Sequence, residues 1–310
     1  MSKFRFRKQL TSILLLTLVL AMVTGCKGPV TQPQGSSYPL QLTDSFAREV
    51  TIPKEPETIV SLAPSTTEIL FALGLEEKIV GVTEVCDYPE AAKAIEKMGG
   101  FQGVNVEKIV AAKPDLIIAD SLTTKEVVEQ LASLGFPVLA IRAENIDEVL
   151  EHIELIGKAT NNVTEADQLC ADLRGRLDAV TAKIKDVAES ERPLVFYEVW
   201  HDALMSAGPN TFINNILTAA GGKNAMADAT TDWPEVDLEQ LITKNPEVIV
   251  LGHDGQQPED VKARANWQTI AAVQNERIFA VNPDTINRPG PRVIDAVEEL
   301  AKIFYPNLFK

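Results

Sequence analysis

The chain has little that enzymes usually need. Its 310 residues hold three histidines and three cysteines. No Gly-x-Ser-x-Gly elbow, Walker loop, His-Glu-x-x-His pair or Cys-x-x-Cys occurs along it. That removes the common routes to an activated serine, a cradled nucleotide phosphate, a zinc-activated water and dithiol exchange. Carboxylates are plentiful, yet none forms a pair with a reason to be catalytic, so the expectation is that the chain is not an enzyme. Positive charge is short too: 29 Lys and Arg face 44 Asp and Glu, a net charge of −15. This argues against nucleic acid as a partner and against a polybasic surface for lipid headgroups. Zinc and manganese sites usually want about three histidines plus a carboxylate. Only His152, His201 and His253 exist, and His152 lies on a segment patterned as a helix, so a resident metal is not expected. Aromatic residues make up 6% of the chain, and each ring that a core does not need is therefore a candidate for outside contact. Beyond residue 23 no segment is apolar for long enough to cross a bilayer.

What is present begins at the N-terminus. Lys3, Arg5, Arg7 and Lys8 precede an apolar run over residues 10–23, followed by Thr24, Gly25 and Cys26. The run is too short to span a membrane comfortably by itself. A charged head, an apolar stretch and small residues before a cysteine resemble a bacterial lipoprotein signal. The resemblance implies a signal peptide over 1–25, cleavage before Cys26, and a diacylglyceryl thioether on its sulfur. Residues 26–39, rich in Pro, Gln, Gly and Ser, cannot build a core and read as a flexible tether. The expected location is outside the cytoplasm, lipid-anchored to the outer face of the cell membrane or periplasmic. Export would permit a disulfide between Cys86 and Cys170, but no spacing rule joins them and the pairing stays open.

The folded part contains one stretch twice. Residues 104–119 read VNVEKIVAAKPDLIIA and residues 236–251 read VDLEQLITKNPEVIVL. Each opens on a helix-capping residue, Asn105 or Asp237, with Glu107 or Glu239 two positions on. Pro114 and Pro246 stop the helices. The β-branched runs that follow are too apolar to face water on either side, the pattern of a strand inside a parallel sheet. Other elements alternate in the same way. Residues 40–42 and 49–52 read as a hairpin, and strands are expected at 58–62, 79–82, 138–141, 194–199 and 277–281. Ser65 and Glu68 have the spacing of a capping box at the start of a helix. An apolar stripe through Leu169, Leu173, Leu177, Val180, Ile184 and Val187 predicts one long helix over 164–189. Asp87-Tyr88-Pro89 and Asp232-Trp233-Pro234 echo each other, each ahead of its repeat copy. The expected fold is α/β, with two similar lobes of mostly parallel sheet, 40–160 and 191–310, joined by a backbone helix within 161–190.

Four segments taken together resemble the helical-backbone family of ABC-transporter substrate-binding proteins, whose members carry cobalamin, ferric siderophores or haem. They are residues 59–68 (IVSLAPSTTE), Cys86-Asp87-Tyr88-Pro89, the run from Asn105-Val106-Glu107 to Pro114-Asp115, and Arg288-Pro289-Gly290-Pro291-Arg292. The similarity covers roughly residues 38–310. It implies a shallow interlobe cleft, limited closure, and a monomer that delivers a metal-organic ligand to a membrane permease with ATPase subunits. It also implies that one surface glutamate on each lobe, Glu107 and Glu239, meets arginines of that permease. Charge-assisted contacts of this kind would fix the docking register, although a carboxylate in the first turn of a helix is favourable in any case. Corrinoid binders of the family line the cleft with flat rings, and Phe101 and Trp233 fall on two such positions. Trp200 and His201 follow a strand end, where open α/β sheets take ligands. Val85 and Asp120 depart from the pattern, standing where cobalamin binders carry aromatics. Arg288 would suit an anionic ferric chelate. The ligand expected is cobalamin or a related corrinoid, with ferric siderophore or haem as the alternative and zinc or manganese further behind.

Overall fold

A computed structural model describes residues 35–100, 103–120 and 123–310. The signal segment, Cys26, the tether as far as residue 34, and Phe101 lie outside the described residues. The duplicated stretch folds as its residues require. Asn105 and Asp237 cap the helices Val106–Ala112 and Leu238–Lys244, accepting hydrogen bonds from the backbone N–H of Lys108 at 3.0 Å and of Gln240 at 2.7 Å. Both helices end on a left-handed residue, Lys113 (φ 47°) and Asn245 (φ 49°). Each stands directly before its proline, because the right-handed helical region is denied to a residue in that position. The buried strands Leu116–Ala119 and Val248–Leu251 follow.

These strands sit at equivalent places in two sheets. The first sheet runs Ile79–Val82, Ile59–Ser61, Leu116–Ala119, Val138–Ala140, all parallel. In the second, Leu194–His201 pairs in parallel with Lys223–Asn224 and with Val248–Leu251, and the latter pairs in parallel with Ile278–Ala280. Strand order is thus the same in both lobes, with the short hairpin strand Leu204–Ser206 added antiparallel to Leu194–His201 in the second. A separate antiparallel pair, Leu40–Thr43 with Glu49–Ile52, precedes the first lobe.

Both faces of each sheet are covered. Leu116 and Ile118, like Val248 and Val250, enter one large core to which both lobes contribute. Their alternates pack elsewhere, Ile117 and Ala119 in a first-lobe cluster and Ile249 and Leu251 in a second-lobe one. This two-sided burial is why the strands read as unbroken apolar runs. The backbone helix Val163–Ile184 has 22 residues, a length of about 33 Å. It packs on the helix Ile146–Thr160 and on the closing helix Val293–Phe304. Gly157 makes the first contact possible: a Cβ there would stand 2.4 Å from that of Ala166. Arg176 ties the backbone helix to the closing one, forked on Glu298 at 2.9 and 2.9 Å and reaching Asp295 at 2.5 Å. Residues 35–310 form one compact unit. Among the described residues no helix is long and apolar enough to cross a membrane.

Two expectations are corrected, and the open question of cysteine pairing is answered. The backbone helix stops at Ile184, short of residue 189; Val187, the end of its stripe, packs against the core from a turn as the chain comes round to Pro193 and the next strand. Ser65 and Glu68 form no capping box. The helix Pro64–Ala72 starts behind Ala63 without a side-chain cap, because Ser65 donates instead to Asp120 at 2.6 Å and Glu68 turns to the second lobe. Cys86 and Cys170 are both free and buried. Cys170 donates to the Leu150 carbonyl at 3.4 Å, and burial pushes its thiol up to about 11.

Candidate functional site

The strands of each sheet end, at their carboxyl side, where open α/β sheets place ligands. A cleft of about 580 Å³ opens there, with residues 142–144 of the first lobe on one side. On the other side stand Val199, residues 210–213, Asp232, Trp233, Gly252, Asn287 and Pro289 of the second. Thr211 caps the helix Phe212–Ala219, accepting from the Asn214 N–H at 3.1 Å, and so brings Asn210 and Phe212 to the wall. Asn287 is held by two bonds: its Oδ1 accepts from the Tyr197 hydroxyl at 2.8 Å and its amide donates to the Gly252 carbonyl at 3.0 Å. The Trp233 ring is 51% exposed on this wall. Asn210 donates to Asp232 at 3.3 Å, fixing the acid next to that ring. Among the described residues lining the cleft, Arg142 is the cation and Glu144 and Asp232 are the carboxylates, and Arg142 already lies 3.5 Å from Glu144.

The structure separates the other candidates from this wall. Val199 faces the cleft, so strand alternation sends Glu198 and Trp200 to the opposite face. There Trp200, His201 and His253 form a ring cluster with centroids 4.8 to 5.5 Å apart. Beneath it lies a buried ionic group that sequence reasoning missed. Glu198 is forked by Arg264 at 2.7 and 2.6 Å and meets His253 Nε2 at 3.0 Å. His253 Nδ1 accepts from the Gly255 N–H at 3.0 Å, so Nε2 carries the proton and donates to Glu198.

Arg288 lies between the lobes. Its guanidinium reaches Asp87 at 2.7 Å, Asp284 at 2.7 Å and Glu68 at 3.4 Å. Arg292 forks Glu68 at 2.8 and 2.6 Å and lies 3.9 Å above the Tyr88 ring. Burial pushes the Asp87 carboxyl up, but the hydrogen bond and charge of Arg288 outweigh it and hold Asp87 below its usual range. The hydrogen bonds it donates to Glu68 raise Arg292 further above its ordinary value. Motifs that stand far apart in sequence, the Glu68 segment, Asp87-Tyr88 and the 288–292 loop, are therefore one interlobe junction. Glu68 escaped notice because its spacing from Ser65 reads as a cap. Glu107 and Glu239 are exposed in the first turns of their helices, and neither lines the cleft.

Residues 59–285 match the model of a periplasmic binding protein family. The chain belongs to that family. It is 39% identical over 306 residues, 95% of this chain and 96% of the relative, to the uncharacterized ABC transporter substrate-binding lipoprotein YvrC of Bacillus subtilis. Among solved structures, it is 32% identical, with a TM-score of 0.72, to a possible iron-binding periplasmic solute-binding protein from Staphylococcus epidermidis, covering 81% of this chain and 100% of that one. It is 31% identical, again with a TM-score of 0.72, to the periplasmic vitamin B12 binding protein BtuF of Vibrio cholerae, covering 81% of this chain and 98% of that one. A family member of this kind is an ABC-transporter substrate-binding protein, and its two-sheet α/β fold is the one these relatives share.

Proposed function

We propose that the protein captures cobalamin or a related corrinoid in the interlobe cleft and hands it to an ABC permease, while the Cys26 lipid holds it at the outer face of the cell membrane. The observation that carries the ligand is the charge state of the cleft. An anionic ferric chelate calls for cleft arginines, yet Arg288 is engaged by three carboxylates and the lining holds one cation against two acids. A corrin offers a broad apolar plane and an amide-rich rim, which an exposed tryptophan and neutral amides such as Asn210 and Asn287 can serve without charge. The likeness to a named vitamin B12 binding protein supports this reading. The likeness to a possible iron-binding protein supports a second, a ferric siderophore or haem.

Titration with cyanocobalamin should quench tryptophan fluorescence at one-to-one stoichiometry, and Trp233→Ala should weaken binding by ~1–3 kcal/mol, the scale of a large aromatic contact. Tight binding of a ferric chelate with no binding of any corrinoid would overturn the assignment. For the anchor, Cys26→Ser should abolish labelling by radioactive fatty acid; undiminished labelling removes Cys26 from that role.

A further inference from the structure

The first-lobe wall of the cleft is held through its backbone, and the groups that hold it converge on one buried imidazole. The edge strand Val138–Ala140 runs into the wall segment 142–144, and the hairpin loop at residues 44–48 straps that edge. Ser45 N–H donates to the Ala140 carbonyl at 2.9 Å, and Arg48 Nη2 to the Val138 carbonyl at 2.8 Å. Past the strand, two wall N–H groups meet side chains instead. Arg142 N–H donates to Ser45 Oγ at 2.9 Å, and Glu144 N–H to Glu148 Oε2 at 2.7 Å. Ser45 Oγ, already an acceptor there, lies 3.3 Å from His152 Nε2. The single hydroxyl proton therefore goes to His152, which leaves Nε2 bare and puts the ring proton on Nδ1. Glu148 stands four residues ahead of His152 on the helix Ile146–Thr160, a spacing at which side chains face each other. His152 is 9% exposed, and burial lowers it below the ordinary imidazole value, although the Glu148 charge opposes this. Other charged groups on the elements that meet here are paired among themselves, Asp44 with Arg48 and Arg142 with Glu144.

We propose that His152 is a proton-operated positioning residue for the cleft: neutral, it keeps the 142–144 wall in place, and protonated, it releases the wall and weakens ligand binding. A proton on Nε2 removes the acceptor that orients Ser45 Oγ. The new cation also draws the Glu148 carboxylate away from the Glu144 N–H. One event thus loosens both wall bonds, and Arg142 and Glu144 lose their fixed places. The sign follows from burial, which favours the neutral ring in the folded state. The wall is intact at and above the ordinary imidazole value and loosens as pH falls through the lower folded value. The proposal rests on the proposed function for its probe, cyanocobalamin. Between about pH 7.5 and about pH 5, the full chain should lose about three- to tenfold in affinity for it, the scale of one lost hydrogen bond. His152→Gln, whose amide stays neutral, should change by less than about twofold over the same interval. A readout without ligand accompanies this. Amide hydrogen exchange, corrected for the intrinsic effect of pH, should quicken at Arg142 and Glu144 at least about tenfold at the acid end, with Leu116–Ala119 unmoved. His152→Gln should abolish that step. Ser45→Ala, at an exposed loop position and safe for folding, should exchange Arg142 fast at both ends of the interval. An acid step in affinity or exchange that survives His152→Gln, a step at Arg142 that survives Ser45→Ala, or wall amides equally protected at both ends overturns the switch. Should the unaltered protein bind no cyanocobalamin, the corrinoid reading falls and the exchange data alone decide the switch.

Discussion

The two lobes share strand order, a capped seven-residue helix with a left-handed end, and a fully buried strand, yet they differ where the strands end. Strand register aligns Ile59 with Val195, since each pairs with the first residue of its lobe's repeat strand, Leu116 or Val248. Leu62 is then the counterpart of Glu198. One is an apolar wall of a first-lobe cavity, and the other is a buried carboxylate holding Arg264 and His253. Hydroxyls cluster at the end of the first lobe's strand: Ser61 Oγ lies 2.6 Å from Thr66 Oγ1 and 2.8 Å from Thr67 Oγ1. Rings and charges surround the second. Duplication kept the framework that the hydrophobic core demands, while the strand ends diverged.

Measurements can press on that contrast, beginning with the largest effect. Glu198→Ala strands Arg264 in the interior and should destabilise the fold by ~3–5 kcal/mol in urea unfolding, whereas a loss below ~1 kcal/mol would mean the second lobe does not depend on its ionic group. Glu68→Gln keeps the shape of the interlobe junction while removing its charge. It should cost ~1.5–3 kcal/mol, the scale of hydrogen bonds to charged groups, and an unchanged midpoint would show that the 288–292 loop holds the lobes without it. Reversing Glu107 or Glu239 to arginine should cost at most ~1 kcal/mol of stability through the helix dipole. We propose that each reversal also lowers uptake to a similar degree without altering ligand affinity; transport lost through one glutamate only would make the lobes unequal in docking. The smallest effect concerns the paired motifs. Asp87, held below its ordinary value by Arg288, contributes stability that is complete above the unfolded carboxyl value and fades as pH falls through its folded value. Because the Asp87 side chain is 45% exposed, screening keeps its share under ~1 kcal/mol. Asp87→Asn should flatten the acid limb of the stability curve, and an unchanged limb would contradict this.

Much of the fold was legible because it is periodic. Apolar runs before and after prolines gave the repeat strands, and the stripe from Leu169 to Ile184 gave the backbone helix. The cleft was less so. Trp233 could be placed because it stands beside a repeat copy. Trp200 shares a strand end with the cleft but faces away from it, a matter of one residue in a two-residue period, and His201 at the strand's last position packs with Trp200 and His253 instead. Arg288 read as a free cation because two of its three acids come from positions 68 and 87, and local spacing does not report contacts of that range. The Glu198 group was hidden for the same reason. A lone glutamate inside an apolar strand is the one signal that could have revealed it, since a buried carboxylate needs partners.

The core that Leu116, Val248 and the backbone helix enter together has a thermodynamic consequence. Neither lobe owns it, so neither can melt while the other persists without exposing the shared apolar surface. A calorimetric scan of residues 35–310 should therefore show a single cooperative endotherm, its van't Hoff and calorimetric enthalpies equal. A fragment ending near residue 190 should behave as an aggregating, loosely ordered chain rather than as half of a working protein.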